Sequence, residues 1–274
     1  MDFTLKTYHS LLCALQKADY RFYTFEEYCE RKEDLSDSKF VILRHDVDEI
    51  ASNALKIALL EHELGIRATY YFRIVKQSFD PDIIWKIVAL GHEVGYHYED
   101  LVFADGDMSK AIGTFATHLQ EIRKFYPVRT VSMHGSSSSI YDNRTLWQHY
   151  RLADFNLIGE PYLTTDFRRV FYLTDTGYAW DGKKYAVRDI VEDHFGISFH
   201  TTQQIINCIN QNEFPERCMI LVHTLWTDSM WQWTLLHLRE FFKNRVKRFS
   251  KHNKAVGFLY SHFVKYYWTH GKSF

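Results

Sequence analysis

The stretch VILRHDVDEIASNAL, residues 41–55, joins a short apolar run to a group of charged residues and then to a sequence with helical spacing. The apolar run is typical of a buried strand, and the residues from Ala51 onward are typical of a helix. The charged residues therefore fall on the connection between strand and helix, where α/β enzymes keep their reactive side chains. These residues are Arg44, His45, Asp46 and Asp48.

Composition excludes several classes of function. The 274 residues carry a net charge of −1, so no global positive field would attract nucleic acid or an anionic membrane. Four cysteines without C-x-x-C spacing argue against a zinc ribbon or a disulfide framework and favour a reducing compartment. No signal-like or membrane-spanning apolar stretch is present, so we expect a soluble cytoplasmic protein without membrane insertion. The sequence does not indicate an oligomeric state.

Apolar patterning alternates between strands and helices along most of the chain. Strand patterns fall near residues 40–45, 68–75, 92–97, 129–134, 156–158, 170–174 and 218–223. Helical patterns fall near residues 4–17, 50–64, 81–90, 107–125, 143–151, 201–211 and 229–250. Repeated strand–helix units predict a parallel sheet, which either closes partly or fully into a barrel or stays open and doubly wound.

Polar side chains follow one predicted strand after another. In a parallel sheet these positions meet at one edge, because all carboxyl ends point the same way. After the first strand they are Arg73, His97 with Glu99, His134 and His223. A purely structural barrel needs only turn residues at these positions. The pattern therefore predicts a catalytic or metal-binding site at the carboxyl ends of the strands.

Each residue also has a simpler explanation. Asp46 or Asp48, taken singly, would serve as the N-cap of the following helix. His134 precedes a glycine, and a chain reversal is sufficient to explain it. His223 follows four apolar residues and would be costly to bury without a partner, which favours a functional role.

Four segments resemble, in order and spacing, the motifs of the polysaccharide deacetylases of carbohydrate esterase family 4. They are RHDVD at 44–48, GHEVGYH at 91–97, DTGYAW at 175–180 and LVH at 221–223. The resemblance covers roughly residues 40–225. It implies an α/β fold, a distorted (β/α)7 TIM-like barrel over residues 39–274, with residues 1–38 as a helical lead-in packed on a single domain. It also implies removal of acetyl groups from sugars with a divalent metal, usually zinc.

The resemblance also assigns roles to individual residues. Asp46 corresponds to the base that activates water, and Asp48 and His97 correspond to metal ligands. His223 corresponds to the general acid that protonates the leaving group. Residues expected to support the site or contact substrate are Arg44, His45, Arg73, Asp175 and Trp180. Among these, we expect Arg44 and His45 to hold Asp46 and Asp48 in place.

This sequence departs from the family at two motifs. The second metal histidine is expected four residues after His97, where Leu101 stands, and SMHGSSSS replaces a motif that normally offers arginine and proline. Three outcomes follow: Glu99, Asp100 or His134 supplies the missing ligand, the metal binds weakly, or no metal binds. We rank Glu99 first and His134 second, because alternate residues of a strand share a face and Glu99 shares that of His97. The sequence is most similar to a divergent branch associated with surface-polysaccharide biosynthesis.

Three functions follow from these observations. The first is a metal-dependent deacetylase that acts on an N- or O-acetylated sugar. The second is another metal-dependent barrel hydrolase such as a phosphoesterase, because Asp-x-Asp with histidines also suits two metals. The third is an inactive carbohydrate-binding protein, which the leucine at position 101 suggests.

Overall fold

The structure, a computed structural model, describes residues 1–35, 39–135, 139–180, 188, 190–192 and 194–250. The strands are β1 (Arg21–Tyr23), β2 (Phe40–Val47), β3 (Thr69–Phe72), β4 (Glu93–Tyr98), β5 (Val131–Met133), β6 (Phe171–Thr174) and β7 (Arg217–His223). The helices are α1 (Leu5–Lys17), α2 (Phe25–Arg31), α3 (Ala51–Glu63), α4 (Pro81–Ala89), α5 (Asp100–Phe103), α6 (Met108–Arg123), α7 (Pro161–Thr164), α8 (Thr202–Asn210) and α9 (Met230–Ser250).

One parallel sheet contains these seven strands. Six of them lie in the order β5-β4-β3-β2-β7-β6, and β1 pairs with β2 outside this order. Strand β2 is central: β7 pairs with it along one edge, while β1 and β3 pair with the first and second halves of its other edge. All pairings are parallel, so the carboxyl ends of the strands share one end of the sheet. The fold is the predicted α/β distorted barrel, with helices on its outer side.

Apolar side chains form two separate clusters. The larger one lies between the sheet and the outer helices. The smaller one contains inward-facing strand residues such as Ile42, Tyr71 and Leu221, together with Phe25 and Tyr28 from α2. Because α2 joins this inner cluster, it covers the amino-terminal end of the barrel interior. The opposite end, where the strands finish, is left for polar side chains.

Two predicted elements near residue 150 are wrong. Residues 156–158 form no strand, and only an isolated bridge between Thr130 and Gly159 joins that segment to the sheet. The predicted helix at 143–151 is a 3₁₀ helix over Asn143–Gln148. Such short segments carry too few residues for periodicity to identify them.

Residues 1–38, expected to be a lead-in, supply α1, β1 and α2 to the fold. Strand β1 pairs with β2, and α1 packs against α8. Over the part of the chain that is described, no helix combines the length and apolar character needed to cross a bilayer. The aromatic C-terminal tail from residue 251 lies outside the described residues.

Candidate metal cluster and active site

The expectation that the charged residues lie on the connection after the strand is wrong for Arg44, His45 and Asp46, because β2 continues to Val47. Strand β2 directs these residues to two sides of the sheet. Side chains alternate along a strand, so Arg44 and Asp46 face the barrel interior while His45 faces α3. Helix α3 has Ile50 as its N-cap residue, in the left-handed region at φ 54° and without a capping side chain. Neither Asp46 nor Asp48 caps this helix, so the simpler explanation for the two aspartates does not apply.

Three side chains converge at the carboxyl ends of β2, β4 and β5. His134 Nδ1 lies 2.9 Å from Asp48 Oδ1 and 3.2 Å from His97 Nε2. His97 Nε2 lies 3.4 Å from Asp48 Oδ1. One ligand atom from each residue lies within 4.8 Å of the other two, so the group could hold a metal ion. We call Asp48, His97 and His134 the metal cluster.

The donor atoms of this cluster are arranged as a cation site requires. His97 Nδ1 is 2.9 Å from the carbonyl oxygen of Ser132, which can only accept, so Nδ1 carries a hydrogen. When the ring is neutral, its Nε2 lone pair therefore faces the cluster. Asp48 Oδ1 is buried and has no hydrogen-bond partner among the described residues, although two imidazole nitrogens lie close by. The donors therefore aim at a shared point, and the residues fit a divalent metal.

The electrostatics of the cluster favour positive charge at that point. Burial alone would raise the pKa of Asp48, but His134 and His97 hold it well below its usual range. Burial would lower the pKa of His97, yet Asp46 and Asp48 raise it. Two carboxylates beside one imidazole thus stabilise a cation at this position.

The structure does not bring Glu99, ranked first as the third ligand, into the cluster. Strand β4 ends at Tyr98, and both Glu99 carboxylate oxygens accept from Arg73, at 2.6 and 2.8 Å. Arg73 also donates to the backbone carbonyl of Asp48 at 3.3 Å, so it supports the loop that carries a cluster residue. Leu101 is buried in the main core on α5.

Asp46 lies beside the metal cluster with one oxygen held and the other unpartnered. Its Oδ2 accepts from Arg44 Nη2 at 3.2 Å and is 3.6 Å from His97 Nε2. Its buried Oδ1 has no hydrogen-bond partner among the described residues. Arg44 is itself held by Ser132 Oγ at 2.9 Å and Tyr162 Oη at 2.8 Å. A carboxylate fixed in this way keeps one oxygen available to accept a proton.

His223 lies on strand β7, which neighbours β2, and is the register partner of Asp46. The two residues therefore lie side by side in the sheet and do not face each other across the barrel. Its Nδ1 is 2.7 Å from Asp175 Oδ1, and Trp226 Nε1 donates to Asp175 Oδ2 at 2.6 Å. Burial would lower the pKa of His223, but Asp175 outweighs it, and with smaller contributions from Asp48 and Asp46 the pKa rises to about 10. A protonated imidazole therefore stands next to Asp46.

His45 and Trp180 do not lie where the sequence analysis places them. His45 holds neither aspartate, because it lies on the other side of β2 and contacts Glu61 and the carbonyl of Val222. Trp180 is buried, donates to Thr202 and packs against Trp226. Sequence reasoning missed the residues that touch the charged groups directly, namely Ser132, Tyr162 and Trp226. Of these three, only Trp226 could have been suspected from the sequence, because it follows His223 by three residues.

Comparisons with known proteins give structural matches alone. No family model matches the sequence, and no curated protein matches it. The solved structures that match include CE4 esterases and peptidoglycan deacetylases.

Three of these structures match this chain over most of its length. A CE4 esterase from Streptococcus mutans has 12% identity and a TM-score of 0.42, and the match covers 86% of this chain and 90% of the esterase chain. The Bc1960 peptidoglycan N-acetylglucosamine deacetylase has 14% identity and a TM-score of 0.39, covering 77% and 84%. A family 4 carbohydrate esterase from Streptomyces lividans has 16% identity and a TM-score of 0.37, covering 76% and 88%. At these values the function must be argued from the site itself.

Proposed function

We propose that the protein is a metal-dependent hydrolase that removes an acetyl group from an N-acetylated sugar or polysaccharide precursor. The observation that carries the proposal is the juxtaposition of three parts: an unpartnered carboxylate oxygen on Asp46, the adjacent metal cluster, and His223 in register with Asp46. Amide hydrolysis needs a base, a cation and an acid in one place. The motif resemblance independently supports the same roles.

Asp48, His97 and His134 would hold the metal, and the two-histidine, one-carboxylate set favours zinc. When bound, the cation supplies positive charge that polarises the acyl carbonyl and makes water easier to deprotonate. His134 stands in for the histidine that the family has at the Leu101 position. This substitution keeps the ligand count at three, which is what catalytic zinc sites generally use.

The protein's own side chains would then move two protons. Asp46 Oδ1 accepts a proton from the attacking water while the oxygen–carbon bond forms, and Arg44 fixes the orientation of the carboxylate. His223 donates its proton to the nitrogen as the carbon–nitrogen bond breaks, which gives acetate and a free amine. Asp175 keeps His223 protonated near neutral pH and orients the ring.

All four cysteines are unpaired in the structure: Cys13, Cys29, Cys208 and Cys218. Unpaired thiols support a reducing environment. We therefore propose that the reaction takes place in the cytoplasm, on precursors of a polysaccharide.

The test measures acetate and amine release from N-acetylglucosamine oligomers, before and after the protein is loaded with zinc. Asp46→Asn should lower the rate by about 10²- to 10⁴-fold and leave zinc binding in place. The matched control is His118→Ala, because His118 also pairs with an aspartate, at 2.8 Å, but lies outside the metal cluster.

Two results would overturn the proposal. Zinc-loaded wild type that binds the oligomers but releases no acetate from N- or O-acetylated sugars would be an inactive carbohydrate-binding protein. Hydrolysis of 4-nitrophenyl phosphate that depends on Asp46, without deacetylation, would identify a phosphoesterase instead.

A further inference from the structure

Helix α9 turns an apolar stripe outward. Trp231, Leu235, Leu238 and Phe242 follow each other at spacings of four, three and four residues, which places them on one face of a helix. All four are exposed, with Trp231 at 74% and Phe242 at 63%. A surface helix ordinarily has polar residues there. We call these four residues the outer stripe.

The opposite face of α9 is already fixed to the protein. Leu236, Glu240 and Asn244 are buried, and Arg239 forms an ion pair with Glu49. The helix therefore cannot bury the outer stripe by rotating without losing these contacts. The stripe is an exposed apolar surface of the kind that marks an interaction site.

In the sequence, positive charge is concentrated in the second half of α9 and directly after it. Between residues 239 and 254 the sequence has seven lysines or arginines and one acidic residue, Glu240, whereas the whole chain has a net charge of −1. The rest of the chain is therefore net negative. Arg245, on the helix and exposed, lies with its guanidinium 5.1 Å from the Phe241 ring centroid.

Helix α9 lies at the same end of the barrel as the metal cluster. Glu49, the partner of Arg239, directly follows Asp48, and Gln232 donates to Asn53 in the first turn of α3. A surface that docked on the outer stripe would therefore be near the mouth of the barrel.

We propose that α9 docks on an anionic lipid bilayer, with the helix lying in the plane of the membrane surface. Such helices combine large apolar residues, often Trp, Phe and Leu, with lysines and arginines that meet anionic headgroups. Charge complementarity favours this occupant, because a second copy of α9 would bring the same excess of positive charge. The proposal is independent of the hydrolytic activity and of bound metal.

The experiment is co-sedimentation of the full, metal-free chain with vesicles of phosphatidylcholine alone or with 30% phosphatidylglycerol. We expect binding to the anionic vesicles, little binding to neutral ones, and weakening with salt. Trp231→Gln combined with Leu235→Gln should reduce binding at least about tenfold. The matched control is Trp85→Gln with Leu59→Gln, which removes an exposed tryptophan and leucine from α4 and α3.

Charge is tested with Arg245→Glu, which we expect to weaken binding to anionic vesicles while the melting temperature stays unchanged. Absence of binding to anionic vesicles at low salt would overturn the proposal. So would equal binding by the outer-stripe and control variants. Light scattering that shows a dimer abolished by the outer-stripe variant would assign the surface to a second copy. Binding that appears only after residues 255–274 are removed would assign it to the chain's own tail.

Discussion

The two sides of strand β2 hold buried charge in different ways. On the outer side, the Glu61 carboxylate is bonded to His45 Nε2 at 2.8 Å and accepts from the hydroxyls of Tyr8 and Tyr70. His45 also bonds the Val222 carbonyl at 3.1 Å. We call Glu61, His45, Tyr8 and Tyr70 the outer polar cluster. Each carboxylate oxygen has a partner, and the residues are fully buried.

On the inner side, the carboxylates are incompletely bonded. Asp46 Oδ1 and Asp48 Oδ1 are buried and lack hydrogen-bond partners among the residues that the structure describes. A buried acceptor without a partner costs free energy, so it persists where another function requires it. The Glu61 carboxylate thus has a protein partner on each oxygen, whereas Asp46 keeps one buried oxygen without a partner and lies beside the metal cluster.

We expect the largest effect when a metal ligand is removed. His134→Ala should lower the zinc-dependent deacetylation rate by about 10³-fold or more, because the lost cation had supplied several kcal/mol of charge stabilisation. His118→Ala removes a similarly paired histidine elsewhere and should leave the rate within a few fold. Steady-state kinetics and bound-zinc analysis check this, and equal losses in the two variants would remove His134 from the site.

The next largest effect is expected when a substitution breaks the outer polar cluster. Glu61→Ala should lower the free energy of unfolding by about 3 kcal/mol or more, because His45 and two tyrosine hydroxyls lose a buried partner. Glu63→Ala, exposed on the same helix, should change it by less than about 0.5 kcal/mol. Urea unfolding of metal-free protein measures both. A Glu61 variant as stable as the Glu63 variant would refute a structural role for this cluster.

A smaller effect concerns pH. The folded-state pKa of His223 is about 10, above its ordinary value of 6.5, so its stabilising contribution is complete below about pH 6.5 and is lost as the pH rises through 10. Asp175→Asn removes the main cause of this shift. The variant, without metal, should show a flatter dependence of unfolding free energy on pH between 6.5 and 10. An unchanged slope would show that Asp175 does not hold the proton on His223.

The smallest effects are expected when one tyrosine hydroxyl is removed on each side of β2. Tyr8→Phe removes one donor to Glu61 and should cost about 1 kcal/mol of stability without a change in kcat. Tyr162→Phe removes a partner of Arg44 and should lower kcat, because Arg44 orients Asp46. Thermal unfolding and kinetics on both variants check this. A kcat loss in Tyr8→Phe equal to that in Tyr162→Phe would merge the two clusters into one functional unit.

Much of the fold and of the candidate site could be predicted from the sequence, because strands β2, β3, β4 and β7 carry apolar runs that end in polar residues. The parallel sheet then places Asp46, Asp48, His97 and His223 at one end. The sequence predicts a strand at 156–158 because Leu157 and Ile158 are apolar, but among the described residues of this segment only the neighbouring Gly159 forms a bridge, to Thr130.

The ranking of Glu99 over His134 shows where sequence reasoning fails. The period-two argument assumes that β4 continues through residue 99, but the strand ends at Tyr98 and Arg73 captures the Glu99 carboxylate. His134 lies two residues after the inward-facing Ser132, which is the register partner of His97. Strand register and competition between partners are tertiary properties, and local patterns do not encode them.

The most direct test of the difference between the two sides of β2 is anomalous diffraction at the zinc edge from crystals grown with zinc. We expect one strong peak per chain, about 2.0 to 2.2 Å from donor atoms of Asp48, His97 and His134. We expect no peak at the outer polar cluster around Glu61. A crystal with no peak at the metal cluster, or with the metal bound to Glu99 instead, would contradict the assignment of Asp48, His97 and His134 as metal ligands.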